Sequence, residues 1–286
     1  MITGKTQLLG VIGHPISHSL SPIMHNAALA HLGLDYAYLP FAIAPEDLAA
    51  AIAGLAAIGV QGFNITIPHK QAILPFLSEV SEVAEAVGAV NTVWRKGNNW
   101  YGTNTDVTGF LAPLLSLNQS WQQAEAVVLG NGGAARAVVA GCAQLGCQKI
   151  RVVGRDSNKL QAFQQSWTNS PISPPLSVHA WEELSTLLPA ATLLINTTPI
   201  GMQPQVEQSP LTEQQMAQLP PTAIAYDLIY TPNPTRFLLQ AKERGLGAID
   251  GSEMLVHQGA AALEIWIQQP APIQVMRQAL HSHLGW

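Results

Sequence analysis

The sequence predicts an α/β fold of two domains, an N-terminal α/β domain followed by a doubly wound parallel sheet, and three observations predict it. Short β-type runs alternate with helical patterns almost throughout. From residue 109 onward the alternation becomes regular, with six apolar strands in succession. At 286 residues the chain also has the length for two cores at ~100–200 residues per domain.

The first domain opens on strands at residues 7–12, 36–43 and 60–67, then a hairpin of 89–95 with 99–102. Between them, Ser21-Pro22 offers an N-cap with Pro at the first helical position and Gly33 as the stop, and Pro45-Glu46-Asp47 opens a second helix to about Ile58. The regular part places strands at 126–129, 150–153, 176–179, 193–196, 224–227 and 247–250, with helices between them. Segments 164–175 and 201–210, rich in Ser, Pro and Gln, read as loops. Ser252 is the expected cap of a long helix over 253–268, and Pro272 starts another that runs to the C-terminus. Two helices with no strand behind them must dock on something, and the first domain is the available partner. The expected domains are therefore 1–108 with 253–286, and 109–252.

Composition excludes several classes. Apolar residues make up 48% of the chain and Asp, Glu, Lys and Arg 11%, against roughly 25% charged in an average domain, so extended disorder is not expected. A net charge of −5 repels a phosphate backbone, and nucleic acid is not an expected partner. The longest nearly uninterrupted apolar run, 48–60, has thirteen residues and two glycines, short of the ~17–25 a membrane helix needs. Gly13-His14-Pro15 cuts the N-terminal apolar run before a signal-peptide core forms, which predicts a cytoplasmic protein. Cys142 and Cys147 read as small core residues, and His14 and His18 lack a third ligand at metal-binding spacing, so no metal is expected.

A dinucleotide signal lies in the second domain. The strand Ala126-Val127-Val128-Leu129 is followed by Gly130-Asn131-Gly132-Gly133-Ala134-Ala135-Arg136 and a helical run. Gly130 permits the tight turn, Gly132 lets the backbone approach a pyrophosphate, and Ala135 is the small residue where helix and strand pack closely. An ordinary tight turn also uses glycine; the strand before and the helix after favour a cofactor. At the end of the next strand come Gly154-Arg155-Asp156 and then Lys159. An acid there binds an NAD ribose and an arginine the 2′-phosphate of NADP; two cations favour NADP, while a solvated helix start would look the same.

In the first domain Lys70 follows a strand at an expected helix N-terminus, where a cation opposes the helix dipole. Ligands of open α/β sheets bind beyond the carboxyl ends of strands, so the ammonium stands where a functional group is wanted; alone, it reads as a surface lysine. Asp106, ahead of a helix over 107–115, is either an N-cap or a functional carboxylate, and Ser19 and Ser21 read equally as turn and cap residues.

Together these pieces resemble one family. The strings Gly10-Val11-Ile12-Gly13-His14-Pro15-Ile16-Ser17-His18-Ser19-Leu20-Ser21-Pro22, Asn64-Ile65-Thr66-Ile67-Pro68-His69-Lys70, Gly88-Ala89-Val90-Asn91-Thr92 and Asn104-Thr105-Asp106 resemble those of shikimate dehydrogenases. So do Gly130 to Ala135, Asn196-Thr197-Thr198-Pro199-Ile200-Gly201-Met202, Tyr226-Asp227-Leu228-Ile229-Tyr230, and Asp250-Gly251 through Gln258, in order over essentially the whole chain. The resemblance implies a substrate domain and a Rossmann-type NADP domain, in an enzyme that reduces 3-dehydroshikimate to shikimate with NADPH within aromatic amino-acid biosynthesis. It puts the substrate carboxylate on Ser19 and Ser21 and the ring hydroxyls near Thr66, Asn91, Asp106 and Gln258, and makes Lys70 and Asp106 the catalytic pair. It assigns Tyr230 to closing the site from the cofactor side and Gly251 to a close contact with the nicotinamide. The cofactor otherwise falls to Gly130, Gly132, Gly133, Ala134, Ala135, Arg155, Lys159, Thr197 and Thr198.

Two departures stand out. Gly154-Arg155-Asp156 replaces the family's frequent Asn-Arg-Thr, and His69 stands where an aromatic residue often precedes the lysine. Two alternatives stay open: a quinate/shikimate dehydrogenase using NAD, and a dinucleotide-binding sensor without turnover, which would have no need of Lys70 and Asp106. The expected partner is a small-molecule substrate, with neither nucleic acid nor membrane, and the chain is expected as a monomer or homodimer.

Overall fold

The computed structural model describes residues 2–286. The chain forms two compact units, one from the chain up to Gly109 together with Val256–Trp286, the other from Phe110–Leu255. The first unit begins with β1 (Gln7–Gly13), α1 (Ser21–His31), β2 (Tyr36–Ala42), α2 (Leu48–Ala57), β3 (Gly62–Ile65) and α3 (His69–Ala72). It continues with β4 (Glu79–Val80), α4 (Glu82–Val87), β5 (Thr92–Lys96), β6 (Asn99–Thr103) and the start of α5 (Asp106–Leu115). Its sheet runs β2-β1-β3-β5-β6-β4. β1 is parallel to β2 and β3, and β5 is antiparallel to β3 and β6, as its tight hairpin requires. α2 lays Leu48, Ile52 and Leu55, one face of a helix, onto a core that includes Phe63, Ile65, Val93 and Trp100.

The second unit holds β7 (Glu125–Leu129), α6 (Gly133–Gln144), β8 (Lys149–Gly154), α7 (Ser157–Gln165), β9 (Leu176–Ala180) and α8 (Leu184–Leu187). After these come β10 (Leu193–Asn196), α9 (Glu213–Met216), β11 (Ile224–Asp227), α10 (Arg236–Glu243) and β12 (Gly247–Ile249). All six strands are parallel, in the order β12-β11-β10-β7-β8-β9. The order reverses at β7, whose neighbours are β8 and β10, so the glycine turn after β7 opens at the switch point of a doubly wound sheet. Cys142 and Cys147 are free and buried.

Two long helices end the chain, α11 (Gly251–Ile267) and α12 (Ile273–Leu284). In the first unit the Trp266 indole of α11 donates to Val93 O at 2.9 Å, and α12 packs along α1. No helix among the described residues is long and apolar enough to cross a membrane, and none of their His, Cys, Asp and Glu side chains gather in a group that could hold a metal ion.

Three local expectations change. Ser21 is the first residue of α1, not its cap. Ser19 N–H already bonds Ile16 O at 3.0 Å, so the chain turns before Ser21, Leu20 takes the N-cap place with helical φ and ψ, and Ser21 N–H reaches Ser19 Oγ at 3.4 Å. Ser252 lies inside α11 because the stronger acceptor, Asp250, takes both its N–H, at 2.8 Å, and its hydroxyl. The strand expected over 60–67 is shorter, since Thr66 O receives His69 N–H in the turn into α3. The short β4, α3, α4, α8 and α9, each of six residues or fewer, are too brief to show a periodicity.

Candidate active site

Lys70 stands in the single turn of α3, and its carbonyl accepts Val90 N–H at 2.8 Å, tying that turn to the segment leading into β5. Its Nζ donates to Asp106 Oδ2 at 2.6 Å, with side chains 31% and 17% exposed. The pair is partly dried yet open to a small molecule. Asp106 is the first residue of α5, its own N–H taken by Asn104 Oδ1 at 3.0 Å, and its carboxylate is committed elsewhere, Oδ2 to Lys70 and Oδ1 to Asn91 Nδ2 at 2.9 Å. The cap reading of Asp106 therefore gives way to an ion pair steadied by a buried amide.

Asn91 is buried and its orientation is fixed. Oδ1 accepts the Thr105 N–H at 2.7 Å, which leaves Nδ2 to face the acceptor Asp106. Its backbone carbonyl in turn accepts Asn64 Nδ2 at 3.1 Å. Ser21 is nearly buried at the start of α1, and the buried Tyr38 phenol donates to Asn64 Oδ1 at 2.6 Å. Lys70 and Asn91 thus both bond Asp106, and Tyr38 joins them through Asn64. Ser19 is half-buried beside Ser21, Thr66 is half-buried between β3 and α3, and Gln258 is buried on α11. His69 is buried with Nε2 2.7 Å from Ile43 O; a carbonyl only accepts, so Nε2 carries the proton.

In the second unit Gly130 turns at φ +99, and a Cβ there would lie 2.9 Å from Thr197 Oγ1. Thr197 Oγ1 in turn donates to Leu129 O at 2.7 Å, so the end of β10 closes over the end of β7 and only glycine fits between them. Gly132 caps α6, and Gly132, Gly133 and Ala134 are exposed; a Cβ at either glycine would meet nothing within 4 Å. Ala135 is fully buried against the sheet. An open helix N-terminus with free approach to its amides fits a pyrophosphate. Arg155 and Lys159 are exposed just past β8, while Asp156 Oδ1 caps α7, accepting Asn158 N–H at 3.0 Å and Lys159 N–H at 3.1 Å.

Thr198 is held by Asn196, whose Oδ1 accepts its N–H at 3.0 Å and its hydroxyl at 2.7 Å. Tyr230 is half-buried, and burial pushes its phenol up. Gly251 has a packing reason of its own, because a Cβ would lie 2.1 Å from Leu228 O.

Comparison with known proteins decides the family. A family model described as the shikimate dehydrogenase substrate binding domain matches residues 11–93, and one described as the shikimate 5'-dehydrogenase C-terminal domain matches 251–281. A shikimate dehydrogenase (NADP(+)) of Trichormus variabilis is 64% identical over 100% of this chain and 99% of its own. The chain belongs to the shikimate dehydrogenase family. A shikimate dehydrogenase solved in complex with NADP+ has a TM-score of 0.91 at 36% identity, covering 99% of this chain and 97% of its own. A shikimate 5-dehydrogenase of Listeria monocytogenes, solved with shikimate and NAD, has a TM-score of 0.90 at 33% identity over 98% of each chain.

Sequence reasoning missed two buried polar clusters of this shikimate dehydrogenase family member. One is Tyr38, Asn64, Thr92 and Thr105 behind Asn91. The other centres on Asp227 at the end of β11, which accepts Asn196 Nδ2 at 3.0 Å, Ile229 N–H at 3.1 Å and the Thr235 hydroxyl at 2.7 Å. Burial raises the Asp227 carboxyl from 3.8 to about 6, against those three hydrogen bonds. The available signal was a polar residue inside or at the end of an otherwise apolar strand: Asn64 in β3, Asn196 in β10, Asp227 in β11.

Proposed function

We propose that the chain is an NADP-dependent shikimate dehydrogenase, which reversibly reduces the ring ketone of 3-dehydroshikimate to the hydroxyl of shikimate. The 2.6 Å pair of Lys70 and Asp106 carries the reading. As a hydride reaches the ketone carbon, negative charge grows on the oxygen, which needs a cation and a proton. The Lys70 ammonium supplies both: an N–H bond breaks as the new O–H bond forms, and the amine regains a proton from solvent, to which its side chain is open. Asp106 holds the ammonium and accepts a hydrogen bond from a substrate hydroxyl, while Asn91 keeps the carboxylate from turning.

Ser19 and Ser21 hold the substrate carboxylate, and Thr66, Asn91 and Gln258 the ring hydroxyls. When bound, NADPH supplies the hydride. The open N-terminus of α6, from Gly132 to Ala135, takes the pyrophosphate, with Thr197, Thr198, Tyr230 and Gly251 assigned to the nicotinamide end. Arg155 and Lys159 take the 2′-phosphate. Two exposed cations at the end of β8 favour NADP over the NAD reading, and Asp156 Oδ1 serves the start of α7. In this reading the unit carrying Lys70 binds substrate and the unit carrying the glycine turn binds cofactor.

The test is absorbance at the reduced-nicotinamide band with shikimate or quinate, each with NADP+ or NAD+. Quinate bears an extra hydroxyl on a tetrahedral carbon next to its carboxylate, and a polar group left unpaired costs about 1–3 kcal/mol. Shikimate with NADP+ should lead in kcat/KM by at least roughly tenfold over quinate. Arg155→Ala should raise the KM for NADP+ roughly tenfold or more and leave that for NAD+ unchanged. Equal turnover of quinate and shikimate overturns the substrate reading, and equal rises in both KM values make Arg155 structural.

A further inference from the structure

The groups behind Asn91 form a buried network of hydrogen bonds, and a carbonyl that can only accept fixes the direction of its Tyr38–Asn64–Thr92 arm. Asn64 Nδ2 faces the Asn91 carbonyl at 3.1 Å and Thr92 Oγ1 at 3.0 Å; a carbonyl only accepts, so Asn64 Oδ1 is the atom that meets Tyr38, and the phenol must donate to it. Thr92 Oγ1, receiving Asn64, lies 3.0 Å from both Asn91 Oδ1 and Thr105 Oγ1, and Thr105 Oγ1 is itself 3.2 Å from Asn91 Oδ1, so the link reaches that amide oxygen directly or through Thr105; Asn91 Nδ2 points to Asp106 Oδ1 at 2.9 Å. Asn64, Asn91, Thr92 and Thr105 are all buried, so no water replaces a lost link without cost. The far end is held by packing. The Tyr38 ring stacks on His25 at 4.2 Å and 8°, and Trp266 of α11 leans on both at 5.5 and 5.9 Å. Burial lowers His25 to about 3, so the imidazole is a neutral stacking surface for the phenol.

We propose that Tyr38 is a positioning residue for the reaction, its hydroxyl setting, through Asn64, Thr92 and Asn91, the orientation of the Asp106 carboxylate that holds Lys70. This rests on the Lys70–Asp106 reading.

The test is Tyr38→Phe, which keeps the ring and its stack and removes only the hydroxyl. In steady-state kinetics with shikimate, kcat should fall roughly five- to tenfold, with the KM for NADP+ unchanged. Asn64→Asp, of equal shape but with no donor toward Thr92, should give the same pattern with a larger loss, and carries the test alone should Tyr38→Phe fail to fold. In a cycle with Asn91→Ala, Tyr38→Phe should have no further effect on kcat, because both act through one link. A Tyr38→Phe variant with a lower melting temperature but unchanged kcat, or effects that multiply independently with Asn91→Ala, overturns the proposal. Lys70→Ala is run beside them. An inactive Lys70→Ala beside a fully active Tyr38→Phe sinks this inference alone, whereas an active Lys70→Ala sinks the reading beneath it.

Discussion

Lys70 stands half-buried in a helix of a single turn, which by itself gives its ammonium no fixed place. What holds it is Asp106 at 2.6 Å, and what holds that carboxylate is Asn91, whose Nδ2 donates to its other oxygen at 2.9 Å. Such a pair acts as a unit. Lys70→Ala or Asp106→Asn should therefore lower kcat by roughly 10²–10⁴ with little change in the KM for NADP+, read by steady-state kinetics. Turnover near that of the unaltered protein in either variant would take that residue out of the mechanism.

Elements of this chain are set at their ends, by caps and by what lies past the last residue of a strand. Asp156 ends the approach from β8 and caps α7 through two backbone N–H groups. Asp156→Ala should cost about 1 kcal/mol in urea unfolding and leave the preference for NADP+ over NAD+ unchanged; a changed preference would show that Asp156 touches the cofactor. Asp227 ends β11 and gathers the end of β10, the segment after β11 and the start of α10 around one buried carboxylate. Its folded value of about 6 lies above the 3.8 of a free carboxyl, so the fold favours the protonated form. Its contribution to stability is full below pH 3.8 and is lost as the pH rises through about 6, on the order of 3 kcal/mol across that window. Unfolding free energies from pH 4 to 7 should thus fall more steeply in the unaltered protein than in Asp227→Asn, and parallel curves would show that Asp227 does not titrate there.

Across the whole molecule, the chain returns to its first unit at the end, and Trp266 is the anchor of that return, nearly buried and hydrogen-bonded to Val93 O. Trp266→Ala should destabilise by about 3–5 kcal/mol in thermal or urea unfolding; a loss under about 1 kcal/mol would mean the terminal helices hold on by α12 alone. That return was readable from two strandless helices, and the run from Ala126 through the glycine turn into α6 was readable because strand, turn and helix are neighbours in sequence. Ser21 and Ser252 were misread as caps because adjacent polar residues compete for the same N–H groups, and the backbone just before them decides which wins. The residue types at the site, the glycine turn and the alternation of strands and helices are legible along the chain, all being local properties of composition and period. Which partners those residues take was decided only by tertiary structure: Lys70 and Asp106 are 36 residues apart, Tyr38 and Asn64 26. Strand order brings such groups within bonding distance, and a period of two along a strand carries no record of which strand will lie beside it.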